Sequence, residues 1–96
     1  MSRPLYFKFR LYIAGETENS GEAMANIKAI CRTLLPDRHE IEIVDVFREP
    51  KMALADGVFM TPTLLKLMPF PRRRIIGTLN PAEPVLHALG LEGDPA

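Results

Sequence analysis

Apolar and polar residues alternate along the first part of the chain. Leucine, phenylalanine and isoleucine occupy every second position from Leu5 to Ile13, and tyrosine, lysine and arginine lie between them. A period of two is typical of a strand with one buried face. The pattern stops at Ala14-Gly15. It therefore predicts a first strand whose Phe-rich face contacts the core.

Behind the loop Glu16-Thr17-Glu18 the apolar period changes to three and four residues. Asn19 with Glu22 three positions later is a helix-start signature. The apolar positions that follow, up to the helix-stopping Pro36, predict an amphipathic helix. They are Met24, Ile27, Cys31 and Leu34. Cys31 falls on the apolar stripe, so we expect a packed core thiol.

A second apolar run, residues 41–47, predicts a strand that is apolar on both faces near its end, as an interior strand would be. The helical crossover of about 20 residues implies that the two strands are parallel. Asp45 within this strand is either a paired structural carboxylate or a functional one, and the absence of a neighbouring base favours the structural role. Pro50 then opens a short helical segment, residues 51–56, which Gly57 closes.

A proline-rich corner precedes the last part of the chain. Proline fixes φ, supplies no amide donor and forms cis bonds readily, so Thr61-Pro62-Thr63 predicts a constrained entry into a third strand. Residues 72–77 predict a fourth strand, and Asn80-Pro81 a final helix. Residues 91–96 are expected to fray. The order β-α-β-α-β-β-α, with proline before the third strand, predicts one thioredoxin-like α/β domain over residues 1–96.

Composition narrows the setting. The chain has 96 residues, with 12 basic and 12 acidic side chains. Zero net charge argues against a dedicated nucleic-acid or membrane-surface binder and is compatible with self-association. One cysteine cannot form an internal disulfide, no apolar run approaches the roughly 20 residues of a membrane span, and no signal-peptide pattern precedes the first strand. We expect a cytoplasmic protein.

Motifs for catalysis are missing from the pattern. A thioredoxin-like redox protein would carry a Cys-x-x-Cys pair between the first strand and the first helix. Residues 14–20 contain no cysteine. His39 and His87 lie far apart in the sequence, with no cysteine or carboxylate at metal-ligand spacing. The serines and glycines form neither a nucleophile motif nor a phosphate-binding motif. The sequence predicts no enzyme, no metal and no cofactor.

Two groups of side chains are candidates for contacts with other proteins. Tyr6 and Tyr12 lie on the strand face opposite the phenylalanines, which is either a covered sheet face or a contact with another subunit. Arg72, Arg73 and Arg74 are either a solvated strand edge guarded by charge or a contact with an acidic partner. An RNA patch is a weaker interpretation because no aromatic residues are interleaved with the arginines.

A set of motifs resembles the KaiB family of circadian clock proteins. The likeness runs from about Tyr6 to Leu91. Its densest part is Thr61-Pro62-Thr63-Leu64, then Lys66, Pro69, Pro71 and Arg73-Arg74-Ile75-Ile76-Gly77. Further matches at corresponding places are Leu11-Tyr12-Ile13-Ala14-Gly15, Asn19-Ser20 and Val44-Asp45-Val46.

The resemblance implies a non-enzymatic regulatory module that binds a KaiC-type ATPase, modulates its phosphorylation or signalling state, and self-associates as a dimer or tetramer. It also implies a metamorphic fold, in which the C-terminal half has a second packing. Alternatives are a KaiB-like paralogue in non-clock stress or two-component signalling, with a histidine-kinase partner, and a thioredoxin-like enzyme that has lost its redox cysteines. The candidate partner contacts are Lys66, Arg72, Arg73 and Arg74, the candidate conformational hinge is Pro62, Pro69 and Pro71, and the candidate oligomer contacts are Tyr6 and Tyr12.

Several positions depart from the family pattern. Glu22 and Glu42 stand where clock members carry basic residues, and Phe70 interrupts what is usually a triple proline. Ala88 stands where clock members usually have glycine, and alanine is better in a helix by about 1 kcal/mol. This substitution favours the packing that ends in a helix, hence the thioredoxin-like one. By contrast, residues 64–68 must form a strand in that packing although Leu, Lys and Met favour helix.

Overall fold

The alternating segment at the start of the chain forms the first strand of a four-stranded sheet in a computed structural model that describes residues 5–91. The strands are β1 (Phe7–Ile13), β2 (His39–Asp45), β3 (Thr63–Met68) and β4 (Arg73–Ile76). The helices are α1 (Glu18–Leu34), α2 (Pro50–Ala55) and α3 (Ala82–Leu89). The predicted order of elements is confirmed, and residues 64–68 are a strand despite their local preference for helix.

The sheet has the strand order β2-β1-β3-β4. β1 pairs in parallel with β2, as the helical crossover predicts, and antiparallel with β3. β4 adds to β3 in antiparallel register. The chain therefore has the predicted thioredoxin-like α/β architecture, and it ends in the helix that Ala88 favours.

The two faces of the sheet carry separate cores. The Phe-rich face of β1 packs beneath α1 and α3, where Phe9, Ile27 and Leu89 are almost fully buried. The core on the opposite face is smaller and lies beneath α2, where it includes Tyr12 and Ala53. Cys31 belongs to the first core and is completely buried, which confirms the predicted packed thiol.

Two sequence predictions about the elements are wrong. α1 begins two residues earlier than the Asn19 signature indicates: its N-cap is Thr17, whose hydroxyl oxygen accepts the amide hydrogen of Ser20 at 3.2 Å. β2 is an edge strand rather than an interior one. Its apolar excess is not enclosed, because Ile43 is more than one third exposed and Phe47 lies beyond the strand, largely in solvent.

Contacts after α3 extend to Leu91, the first residue of the segment that was expected to fray. The amide of Leu91 donates to the carbonyl oxygen of Leu86 at 2.8 Å, and the Leu91 side chain packs against the first core. Fraying is therefore not found at Leu91. The rest of the predicted frayed tail, residues 92–96, lies outside the described residues.

The proline corner before β3 is tied to its neighbours. Pro62 is buried, and its carbonyl oxygen accepts from the amide of Gly77 at 2.9 Å. The hydroxyl of Thr63 donates to the carbonyl oxygen of Met60 at 2.6 Å. The peptide bonds before Pro62, Pro69, Pro71 and Pro81 are cis. The corner thus joins the start of β3 to the end of β4.

Candidate partner-binding site

The arginine triplet does not form one patch. β4 pairs with β3 so that Arg74 lies beside Leu65 and Arg73 beside Lys66. Because neighbouring residues of a strand point to opposite faces, Arg74 lies on the α2 face and Arg73 on the face of α1 and α3. The four predicted contact residues are consequently divided between the two faces of the sheet.

Arg74 is engaged inside the molecule. Its guanidinium donates to the carbonyl oxygen of Asp56 at 2.6 Å and to that of Gly57 at 2.7 Å. These carbonyls follow α2 directly, where the helix has no further amide donors of its own. Arg74 therefore closes the end of α2, so binding a partner through its guanidinium would compete with this structural role.

Lys66 is buried rather than available at the surface. Its side chain is only 4% exposed, and its ammonium lies 3.4 Å from the carbonyl oxygen of Leu89, the last residue of α3. The same ammonium lies 5.8 Å from the ring centre of Phe7. Burial, and then the charge of Arg73, lower the pKa of Lys66 below its ordinary value. In this fold, Lys66 ties α3 to the sheet and has little exposed surface, and its contact with a partner stays a prediction.

An ion network lies under α2. The guanidinium of Arg10 contacts the carboxylates of Glu42 at 2.8 Å and Asp56 at 2.9 Å. The hydroxyl of Tyr12 donates to the same Asp56 oxygen at 2.5 Å. Burial alone would raise the pKa of Asp56, but the hydrogen bonds from Tyr12 and Arg10 and the charges of Arg10 and Arg72 together lower it. Asp56 is therefore an ionised structural carboxylate.

The two tyrosines differ in exposure. Tyr12 is completely buried, and burial together with its bond to Asp56 raises its pKa to about 12. Its ring belongs to a covered sheet face, so a subunit contact in this fold cannot involve it. Tyr6 is about half exposed, and its hydroxyl donates to the carbonyl oxygen of His39 at 3.3 Å. Tyr6 alone retains the surface that an oligomer contact requires.

The loop between β1 and α1 is built from hydroxyls where a redox protein would carry thiols. The hydroxyl of Thr17 donates to the buried hydroxyl oxygen of Ser20 at 2.8 Å, which also accepts from the amide of Ala14 at 3.2 Å. Asp45 has the favoured structural role, since its carboxylate accepts from the amides of Phe47 at 2.9 Å and Gly15 at 3.4 Å. This loop is held together by its own polar groups.

A groove lies between α2 and the β3–β4 hairpin. Its volume is about 350 Å³. The residues that line it are Ala55, Asp56, Leu65, Lys66, Leu67, Arg72, Arg73 and Arg74. All four residues predicted as partner contacts belong to this lining, but the side chains of Lys66 and Arg73 lie on the opposite face of the sheet. No sequence pattern indicates the groove itself, because α2 and the hairpin are separated along the chain.

Exposed apolar side chains at the Pro62 end of the sheet also escaped the sequence interpretation. Phe59 and Met60 in the corner before β3 are 83% and 61% exposed, and Ile76 at the end of β4 is 53% exposed. Since Thr63 pairs with Ile76, these residues lie at one end of the sheet. In the sequence, the sign of this exposed surface is that these three apolar residues fit no periodic pattern.

Comparison with known proteins decides the family. The KaiB domain matches residues 10–91, which is most of the chain and includes both walls of the groove. The chain belongs to the KaiB family. It is 45% identical over 83 residues to the circadian clock protein KaiB3 of Synechocystis sp., a match covering 86% of this chain and 79% of that protein. It is 38% identical over 91 residues to the circadian clock oscillator protein KaiB of Synechococcus elongatus, covering 95% and 89%.

Solved structures agree with the KaiB-family chain in fold alone. The N-terminal domain of SasA from Synechococcus elongatus superposes with a TM-score of 0.64 at 13% identity, covering 100% of this chain and 94% of that domain. Thioredoxin from Fasciola hepatica superposes with a TM-score of 0.71 at 15% identity, covering 91% and 82%. The predicted thioredoxin-like fold is therefore confirmed.

Between residues 5 and 91, no helix has both the length and the apolar character needed to cross a membrane.

Proposed function

We propose that this chain is a non-enzymatic regulatory module that binds a KaiC-type ATPase and changes the phosphorylation or signalling state of that ATPase. The observation that carries this proposal is the match of the KaiB domain to residues 10–91. The relatives that share this match are named as clock proteins. The module acts by surface contact.

Support for a role without chemistry comes from the loop before α1. Thr17 and Ser20 use their hydroxyls to cap the helix and to bind the end of β1. The thiol of Cys31 is remote from this loop along the chain and completely buried, and burial raises its pKa to about 11. A thiol with a raised pKa is a poor nucleophile at neutral pH.

The direct test uses a purified KaiC-type ATPase. The chain is mixed with the ATPase in ATP and, separately, in ADP, and co-elution is followed by size-exclusion chromatography. We expect a complex with at least one nucleotide, and a changed time course of ATPase phosphorylation. Absence of a complex with both nucleotides would overturn the assignment. An insulin-reduction assay tests the rival enzyme class: activity that disappears in Cys31→Ala would overturn the non-enzymatic role.

A second candidate is a KaiB-like role with a non-clock partner, such as a histidine kinase in two-component or stress signalling. The feature that favours it is Glu42, which forms an ion pair with Arg10 at 2.8 Å. According to the family resemblance, clock members carry a basic residue near this position. Charge reversal at a contact surface changes which partner fits. Binding to a kinase sensor domain, with no binding to the ATPase, would select this candidate.

Self-association and a second packing complete the proposal. Tyr6 is the exposed tyrosine and the candidate contact in a dimer or tetramer. Pro62, Pro69 and Pro71 are the candidate hinge between the thioredoxin-like packing and a second packing of the C-terminal half, on the basis of the family resemblance. Analytical ultracentrifugation over a range of concentrations tests the first part: a monomer throughout the range would contradict it.

A further inference from the structure

The loop between β1 and α1 leads into two hydroxyl side chains three positions apart. Thr17 is the N-cap of α1, and Ser20 lies in the first turn of this helix. Their hydroxyl oxygens are 2.8 Å apart. The Cys-x-x-Cys pair of a thioredoxin-like redox protein has the same spacing and lies at the same place, between the first strand and the first helix. This chain therefore has oxygen atoms where such a protein has sulfur atoms.

The two positions differ in exposure in the way that a redox pair requires. Thr17 is exposed, whereas Ser20 is completely buried. In disulfide exchange the attacking thiol must reach the substrate, and the second thiol has to reach only the first. The N-terminus of a helix stabilises a thiolate beside it. Position 17 therefore suits the attacking thiol, and position 20 suits the second one.

The backbone at Thr17 allows the two side chains to meet. Its angles, φ −75° and ψ 157°, are those of extended chain rather than helix. Residues three apart within a helix have Cβ atoms about 5–6 Å apart, which exceeds the roughly 3.5–4.5 Å of a disulfide. An extended N-cap residue instead turns its side chain back over the first turn. The contact between the hydroxyls of Thr17 and Ser20 is the result.

We infer that this loop is a disulfide-exchange site in which oxygen has replaced both sulfur atoms, so that Thr17→Cys together with Ser20→Cys gives the chain dithiol–disulfide exchange activity. The inference goes beyond the proposed function and does not depend on it. The substrate class is a disulfide within a polypeptide. Exposed Phe59 and Met60 supply apolar surface for such a substrate, because β3 begins at the end of the sheet where β1 ends.

The exchange is balanced between the variant with both substitutions, called the dithiol variant, and its substrate. The thiolate at position 17 attacks one sulfur of the substrate disulfide, forms a mixed disulfide and displaces the other sulfur as a thiolate. The thiolate at position 20 then attacks the sulfur at position 17, which releases the second substrate sulfur. Two electrons pass to the substrate, the two thiol protons end on its sulfur atoms, and a disulfide joins positions 17 and 20. Dithiothreitol in the assay reduces this disulfide again.

The first test compares the dithiol variant with a control pair at the same spacing in the same helix. Asn19→Cys with Glu22→Cys places both thiols at exposed positions within α1. Trypsin releases residues 11–28 as one peptide that contains either pair, and Cys31 falls in the next peptide. The loss of two hydrogen atoms from peptide 11–28 therefore reports the intended disulfide.

Both variants are equilibrated with reduced and oxidised glutathione. We expect an equilibrium constant for disulfide formation that is at least about tenfold larger for the dithiol variant than for the control pair. Equal constants, or no intramolecular disulfide in the dithiol variant, would overturn the inference.

The second test measures the reduction of insulin by dithiothreitol. We expect the dithiol variant to accelerate it at least about tenfold over the natural chain, whose hydroxyls cannot exchange with a disulfide. Adding Phe59→Ser to the dithiol variant should lower the rate with insulin more than the rate with oxidised glutathione, which is too small to need the apolar surface. A rate with insulin no higher than that of the natural chain would overturn the activity. Equal losses with the two substrates would contradict the apolar surface.

A single substitution keeps the inference testable if circular dichroism shows that the dithiol variant is unfolded. Thr17→Cys leaves the buried Ser20 in place, and Arg32→Cys puts a matched exposed thiol in the last turn of α1. Since the N-terminus of a helix stabilises a thiolate and its C-terminus does not, the thiol at position 17 should react at least about fivefold faster with a chromogenic aromatic disulfide at pH 6. Equal rates would contradict the role of position 17 as the attacking thiol.

Discussion

Arg74 holds the main-chain carbonyl of Asp56 at 2.6 Å, across 18 positions of sequence. Its second bond, to the carbonyl of Gly57, is 2.7 Å long. α2 has only six residues, too few to be stable alone. A cation at the C-terminus of a helix also complements the helix dipole. β4 therefore fixes the position of α2, and with it the wall of the groove.

Replacing Arg74 should cost stability that replacing Arg72 does not. Arg74→Gln loses both bonds to the carbonyls after α2, so we expect its free energy of unfolding to fall by about 1 kcal/mol. Within the described residues, the Arg72 side chain makes no hydrogen bond or ion pair, and its charge acts on Asp56 only from a longer distance. For Arg72→Gln we therefore expect a change within about 0.5 kcal/mol. Urea denaturation measures both. A loss in Arg72→Gln as large as that in Arg74→Gln would contradict the division of roles.

Removing the charge of Asp56 should be costly at neutral pH. Asp56→Asn removes the charged acceptor shared by Arg10 and Tyr12, which keep only Glu42 at 2.8 Å and the carbonyl oxygen of Met52 at 3.1 Å, respectively. We expect the free energy of unfolding to fall by about 2 kcal/mol. The matched control is Glu40→Gln, because Glu40 forms an exposed pair with Lys8 at 3.8 Å. Such pairs contribute less than about 1 kcal/mol. Urea denaturation at pH 7 compares the two variants.

The cost of Asp56→Asn should depend on pH with a defined sign. The pKa of Asp56 in the folded protein is lowered from its ordinary value of 3.8. Its contribution to stability is therefore complete above that value and is lost as the pH falls through the lowered folded pKa. The difference between the wild type and Asp56→Asn should shrink below pH 3.8. A difference that grows in acid would contradict this account of the network.

The stability difference between Lys66→Met and the wild type should also depend on pH, in the alkaline range. Its pKa is lowered from 10.5, so burial penalises its charged form at neutral pH. Lys66→Met keeps an apolar stem of similar length without a charge. The free energy of unfolding of Lys66→Met, taken relative to that of the wild type, should be highest near pH 7. This difference should move against the variant as the pH rises towards 10.5, because the wild type then loses its proton and its penalty. Chemical denaturation at pH 7 and pH 10 measures the trend, and a difference that does not change with pH would contradict it.

Two glycines should respond oppositely to alanine. Gly21 is exposed within α1, and a Cβ atom added there meets no atom within 4 Å. Gly21→Ala should raise the free energy of unfolding by about 0.5–1 kcal/mol. Gly57 has φ +67° after α2, a conformation that costs alanine about 1 kcal/mol. Thermal denaturation should therefore show a higher melting temperature for Gly21→Ala and a lower one for Gly57→Ala. The same direction of change in both would contradict the two backbone conformations.

The local pattern of apolar and polar residues predicted most of the fold, because the type of each helix or strand depends on a few neighbouring residues. The alternation in β1 fixed which side chains enter the larger core, and Phe9 and Leu11 are completely buried as expected. The start of α1 was missed because Thr17 and Asn19 are both good capping residues. The contacts of Ser20 favour Thr17, because the buried Ser20 hydroxyl oxygen accepts from Thr17 and also from the amide of Ala14 at the end of β1.

The candidate site was less predictable, since it depends on register and on distant contacts. Consecutive arginines of a strand alternate between its two faces, but the letters do not say which arginine lies on which face. The pairing of Leu65 with Arg74 decides the question, and nothing in the sequence specifies that pairing. Lys66 was expected at the surface because lysine is rarely buried. Lys66 is buried because α3 packs against the sheet at this place. Its ammonium contacts the carbonyl oxygen of Leu89, the last residue of α3.

The seclusion of Cys31 has a practical consequence. It is the chain's one thiol, and it is completely buried with its pKa raised to about 11. A maleimide at neutral pH requires an accessible thiolate. A cysteine introduced at exposed Arg32 should therefore be labelled selectively while the native thiol stays unreacted. The variant with this one added cysteine can thus carry a single dye for distance measurements against a labelled partner. Cys31 does not first have to be removed.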